Sequence, residues 1–129
     1  MVYKKKPTLL YLEDDELTLS FYERYFRSEY NFIGVKTPND FRDAVKKYIV
    51  DIILIDIAIK NAVNGLDLTK EIRDNYLYKD LPIICVTAHV TFIDRERAKE
   101  AGVTKFVSKP VNSAFLKNEI ENCLEQTNN

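Results

Sequence analysis

The chain has 129 residues, 46% apolar and 30% charged, which suits one domain with its own core and leaves little room for a second. Its net charge of −1 offers no basic excess, so nothing points to nucleic-acid binding by the domain itself. No stretch is apolar and long enough to span a membrane, and the N-terminus lacks the apolar core of a signal peptide.

Residues 1–6 read as a tail whose Lys4-Lys5-Lys6 run is a solvated start. The first strand is predicted over Thr8–Leu12. A helix follows from about Glu16 to Tyr30, with Leu17, Phe21, Tyr25 and a flanking Phe26 as its apolar stripe. A short strand over Phe32–Val35 comes next. Thr37 is then placed as N-cap and Pro38 at the first helical position, opening a helix that carries Phe41, Ala44, Val45 and Tyr48. The third strand, Asp51–Ile57, holds the nearly continuous apolar run Ile52-Ile53-Leu54-Ile55-Asp56-Ile57, as expected of a strand buried on both faces.

A loop from Ala58 to Asn64 leads to Gly65 and a helix through about Asn75. Pro82 opens a fourth strand, Ile83–Ala88. A more polar helix over Phe92–Ala101 ends at Gly102, a good C-cap. The last strand, Lys105–Ser108, ends at Lys109-Pro110. The last helix runs from about Asn112 to Glu125, with Phe115, Leu116, Ile120 and Leu124 expected inward, and residues 126–129 form a polar tail or linker stub. Cys85 and Cys123 have no metal-type spacing, and Cys85 lies in an apolar strand, so a reduced core thiol and a cytosolic location are expected. The eight tyrosines are expected to be half-buried with wet hydroxyls.

Five alternations of strand and helix imply parallel βαβ units. With right-handed crossovers these build an α/β doubly wound, five-stranded parallel sheet with helices on both faces. Such sheets bind ligands outside the carboxyl ends of their strands. The polar residues worth noting all lie there. Glu13, Asp14 and Asp15 follow strand one, Asp56 ends strand three, Thr87 lies near the end of strand four and Lys109 follows strand five.

Crowded carboxylates repel one another unless a cation sits between them. With a hydroxyl and an ammonium group at the same edge, they suit phosphoryl transfer, which needs positioning and charge neutralisation above all. Asp56 is the candidate nucleophile, becoming an aspartyl phosphate. Asp14 is the candidate ligand of a divalent metal, with Glu13 acting through water. Lys109 would neutralise a phosphoryl oxygen and Thr87 would donate a hydrogen bond to another. Each residue alone has a plainer reading: a solvated acidic turn, a strand threonine, a surface lysine. Their convergence is what carries the functional one.

The motifs Leu10-Tyr11-Leu12-Glu13-Asp14-Asp15, Ile53-Leu54-Ile55-Asp56-Ile57, Gly65-Leu66-Asp67-Leu68, Ile84-Cys85-Val86-Thr87-Ala88 and Lys105-Phe106-Val107-Ser108-Lys109-Pro110 occur in this order over nearly the whole chain. In this the chain resembles the receiver domain of bacterial two-component response regulators. The resemblance implies a flavodoxin-like sheet of order 2-1-3-4-5, and one receiver domain over residues 1–129. It implies phosphorylation of Asp56 by a sensor histidine kinase or histidine phosphotransfer protein. Magnesium, for which manganese could substitute, would be held by Asp14, Asp56 and the backbone carbonyl of Ala58, with Glu13 nearby. Thr87 and Phe106 would form a switch that alters the face of helix four, strand five and helix five. That face would be read by an output domain, a protein partner or a second copy of the chain. A cis Lys109–Pro110 bond is also implied.

The chain departs from the family pattern in two places. Lys60 replaces a frequent proline four residues after the acceptor, and the loop to Gly65 is about one residue longer. Small Ala58 and His89 occupy the positions that tune water access to the acyl phosphate, and His89 is expected to shield it or orient water. The plainer reading of His89 is an exposed loop residue. Two other functions compete: a pseudo-receiver that signals without phosphate, and an aspartyl-phosphate enzyme. Against the enzyme, Ala58 stands where a second aspartate would serve as general acid, and no glycine-rich nucleotide loop is present.

Overall fold

A computed structural model describes residues 5–58 and 64–127. Five strands form one parallel sheet: β1 (Thr8–Leu12), β2 (Asn31–Val35), β3 (Ile52–Ile55), β4 (Ile83–Thr87) and β5 (Lys105–Ser108). Their order is β2-β1-β3-β4-β5, the doubly wound arrangement expected. Between and after them come α1 (Glu16–Phe26), α2 (Pro38–Lys47), α3 (Gly65–Asp74), α4 (Phe92–Ala101) and α5 (Ser113–Thr127). A short 3-10 turn, Tyr76–Tyr78, follows α3.

The central strands are buried on both faces because helices cover both. Side chains alternate along β1 and β3. Leu9, Tyr11, Ile52 and Leu54 join the core under α1 and α5. Leu10, Leu12, Ile53 and Ile55 join the core under α2 and α3. A smaller cluster of Ile57, Leu66, Cys85, Ala98 and Ala101 seats α4. Register runs Leu12 opposite Ile55 and Ile55 opposite Cys85, so the strands' carboxyl ends finish side by side.

Helix starts follow local chemistry. Thr37 caps α2, its Oγ1 accepting from the Asp40 N–H at 3.1 Å. Asn64 with Asp67 and Thr91 with Asp94 form reciprocal capping boxes for α3 and α4. Gly102 ends α4 in the left-handed region, φ 104°, where a side chain would be strained.

The first helix departs from expectation. It stops at Phe26, short of Tyr30, and Leu17 and Phe21 face solvent at 79% and 53% exposure. Tyr25 is also exposed, while Leu19, Tyr22 and Phe26 are buried. Both sets have near-helical spacing, so apolar period alone does not say which faces the sheet. Aromatic packing decides it: Phe26 contacts Tyr22, Tyr30 and Phe32 with centroids 5.8, 5.5 and 6.4 Å apart. Tyr30 leaves the helical path to join that cluster.

Elsewhere the differences are smaller. Tyr48 caps α2 and is exposed. In α5, Phe115 is exposed and Cys123 is buried in its place beside Leu116 and Ile120. The third strand, Ile52–Ile55, is shorter than Asp51–Ile57, although the Asp51 and Asp56 N–H groups just outside it still donate to Thr8 O and Leu12 O. Tyr11 is fully buried, and its hydroxyl has no partner among the described residues, unlike the wet hydroxyls expected of the tyrosines. The Lys109–Pro110 bond is cis. The Lys60 substitution lies outside the described residues.

Candidate functional site

The carboxyl ends of β1, β3 and β4 and the turn after β5 bring Glu13, Asp56, Thr87 and Lys109 to one edge. Backbone bonds fix the platform. The Glu13 N–H donates to Val35 O at 3.0 Å, and the Asp56 N–H donates to Leu12 O at 3.1 Å. The Lys109 N–H donates to Thr87 O at 2.8 Å. The two acids are therefore locked in neighbouring strands before their side chains meet anything.

Asp56 is 6% exposed and Glu13 2%. Lys109 Nζ joins them, donating to Asp56 Oδ2 at 2.8 Å and to Glu13 Oε1 at 2.6 Å. The other Asp56 oxygen, Oδ1, accepts from the Ala58 N–H at 2.9 Å. Sequence reasoning assigns Lys109 to an incoming phosphoryl oxygen and Glu13 to a water. Here the lysine bonds directly to both acids.

Burial raises the Glu13 carboxyl above its ordinary value, and the charges of Asp56 and Asp14 push it further. Lys109 pulls the other way without winning. Burial alone would lower the Lys109 ammonium, but hydrogen bonds to Asp56 and Glu13 hold it above the ordinary lysine range. Among the described residues, Lys109 thus serves both Glu13 and Asp56. Among the described residues, no three His, Cys, Asp or Glu side chains already form a metal cage.

Thr87 is fully buried at the end of β4, and its Oγ1 accepts from the His89 N–H at 3.2 Å. The hydroxyl proton is not used in that bond. His89 itself is exposed. Asp15 acts as the N-cap of α1, accepting from the Thr18 N–H at 3.1 Å. Phe106 is half-buried on β5 and is not part of the acid–lysine group.

Three features escape sequence reasoning. Gly65 lies so close to β3's end that a Cβ there would stand 2.5 Å from the Asp56 backbone oxygen. Arg95 stands over the Phe106 ring at 4.8 Å. A largely apolar groove of about 590 Å³ opens beside Lys109, between Leu17, Thr18, Phe21 and Tyr22 of α1 and Pro110-Val111. Leu17 and Phe21, whose apolar spacing reads in the sequence as the helix's inward stripe, line that groove instead.

Residues 9–121 match the family described as Response regulator receiver domain. The polar-differentiation response regulator DivK of Brucella ovis is 30% identical over 105 residues, covering 81% of this chain and 85% of the relative. The receiver domain of a Pseudomonas aeruginosa sensor histidine kinase, solved with magnesium coordinated in its active-site cleft, superposes with a TM-score of 0.83. It is 25% identical, with 94% of this chain and 99% of that one covered. A CheY-like receiver domain protein of Methanospirillum hungatei shares the fold, with a TM-score of 0.87 at 20% identity over 95% and 96% of the two chains. With its five-stranded sheet, its acid–lysine edge and these matches, the chain belongs to the response regulator receiver domain family of two-component signalling.

Proposed function

We propose that this chain is one receiver domain working as a phosphorylation-dependent switch, with Asp56 as phosphoacceptor. The observation that carries the reading is the buried Asp56 bonded through Lys109 to Glu13. A charge this costly to bury is retained where it has chemistry to perform. A phosphohistidine on a kinase or phosphotransfer protein is the donor. An Asp56 carboxylate oxygen forms the new P–O bond, the P–N bond breaks, and the leaving imidazole takes up a proton. The apolar groove beside Lys109 suits a protein donor, since it would seat a partner's side chains next to the acceptor.

Asp14, Asp56, the Ala58 carbonyl and the nearby Glu13 are the oxygen donors that would hold magnesium, which needs only one or two carboxylates and keeps several waters. Bound there, the metal would supply charge neutralisation to the phosphoryl oxygens. Lys109 neutralises one such oxygen and Thr87 donates its free hydroxyl proton to another. Phe106 then follows Thr87, and the α4–β5–α5 face passes the change to an output domain, a partner or a second copy. Ala58 and His89 set how fast water removes the phosphoryl group. Dephosphorylation of His89→Ala should be altered relative to wild type, and an unchanged rate removes that residue from the scheme.

The test of the whole reading is intact mass after incubation with magnesium and phosphoramidate. One phosphoryl group should be gained, and it should be absent in Asp56→Asn and under chelator. No gain by folded wild-type protein would favour a pseudo-receiver that binds without phosphate.

A further inference from the structure

Phe106 on β5 pairs in register with Cys85 on β4, two residues before Thr87. Its ring packs partly into the cluster of Ile57, Leu66, Cys85, Ala98 and Ala101. Over it stands Arg95 of α4, the guanidinium carbon 4.8 Å from the ring centroid. That distance lies within the range of a cation–π contact. Among the described residues, no ion pair holds Arg95 elsewhere.

At its C-terminal end α4 is tied to α3, Arg73 Nε donating to Gly102 O at 2.9 Å, but toward the sheet it offers little. It buries only Ala98 and Ala101 among the described residues, and these small side chains remove little apolar area from water. The loop that feeds α4 begins at Thr87, whose Oγ1 accepts from the His89 N–H. The Arg95 N–H donates to Thr91 O, so Arg95 sits one turn inside the helix. Thr87, the loop, α4, Arg95 and Phe106 thus form a closed path that leaves the sheet on β4 and rejoins it on β5.

We propose that Arg95 is a positioning residue: stacked on Phe106, it latches α4 to β5 and holds the β4–α4 loop on Thr87, so that the resting arrangement resists phosphorylation. The proposal rests on Asp56 being the acceptor. When a phosphoryl group draws the Thr87 hydroxyl toward it, the loop must give up its bond from His89. The latch must then loosen before Phe106 can follow. A contact of this class at an exposed site is worth roughly two- to five-fold in an equilibrium.

The experiment is the initial rate of phosphoryl gain at Asp56 with magnesium and phosphoramidate, read by intact mass, on variants shown by circular dichroism to be folded. Arg95→Gln should gain the group about two- to five-fold faster than wild type. Arg95→Lys, which keeps a cation, should stay nearer wild type, and a Lys variant as fast as the Gln one would overturn the latch. In a Phe106→Leu background, Arg95→Gln should add nothing, whereas the same acceleration there would show that the effect bypasses the ring. An unchanged Arg95→Gln rate beside an active wild type refutes the latch alone. A wild type that gains no phosphoryl group refutes the acceptor reading, and the latch with it.

Discussion

Asp51 and Asp56 stand at opposite ends of the same strand, one just before β3 and one just after it, and only Asp56 is buried. Asp51 is exposed, and its Oδ2 accepts from the Thr8 N–H at 2.7 Å. Its own N–H donates to Thr8 O at 2.9 Å. It fastens the start of β3 to the start of β1, and its demands are met locally by backbone. Asp56 is held instead by Lys109, a residue 53 positions away, and shares that lysine with Glu13. A carboxylate at the amino edge extends the strand ladder. At the carboxyl edge it is buried and meets a lysine brought from beyond β5, its other oxygen accepting from the Ala58 N–H. The same residue type on the same strand is met by local backbone at one end and by a side chain distant in sequence at the other.

The largest test of this contrast is Lys109→Met. It strands two buried acids, which costs about 3 kcal/mol, near the lower end for a broken buried pair because the lysine is 25% exposed. Urea unfolding at pH 7 measures this, and adding Asp56→Asn should recover part of the loss. A Lys109→Met cost no greater than that of Asp51→Ala would erase the distinction between the two edges.

Next comes Gly65→Ala. Its Cβ would meet the Asp56 backbone oxygen at 2.5 Å, and backbone cannot swing aside. A loss of roughly 1–3 kcal/mol is expected, together with slower phosphoryl gain as the acceptor loop is displaced. Asp51→Ala should cost about 1 kcal/mol, one hydrogen bond, and leave phosphoryl gain unchanged. A changed rate of gain would mean that the amino edge also reaches the site.

The smallest effect is a pH dependence. The Glu13 carboxyl is raised above its ordinary 4.5, so the folded chain holds that proton more tightly than the unfolded chain does. This contribution is fully present below 4.5 and is lost as pH rises through the folded value. Wild type should therefore gain stability relative to Glu13→Gln as pH falls from neutral toward that value. Urea midpoints of the two proteins at several pH values would show it, and a constant difference would mean that Glu13 is not raised.

The strand and helix order was legible because each element carries its own period and punctuation. The Ile52–Ile55 run reads as a two-sided core strand without help, as do the Thr37-Pro38 start and the Gly102 stop of their helices. The edge placement of Glu13, Asp56, Thr87 and Lys109 followed, because residues after parallel strands must gather at one edge. The face of α1 was not legible. Leu17, Phe21 and Tyr25 make as good a stripe as Leu19, Tyr22 and Phe26, and a period carries no information about what lies opposite.

By itself, then, the sequence determined the βα alternation, the parallel sheet and the gathering of polar residues at its carboxyl edge. These follow from periodicity, caps and strand direction, all written locally in the chain. Only the tertiary structure decided which aromatic stripe of α1 is buried, that Lys109 bridges both Glu13 and Asp56, that Gly65 touches the Asp56 backbone and that Arg95 stands over Phe106. Each of these is a meeting of residues distant in the chain. Such meetings are settled by volume and charge in three dimensions, which no local pattern encodes.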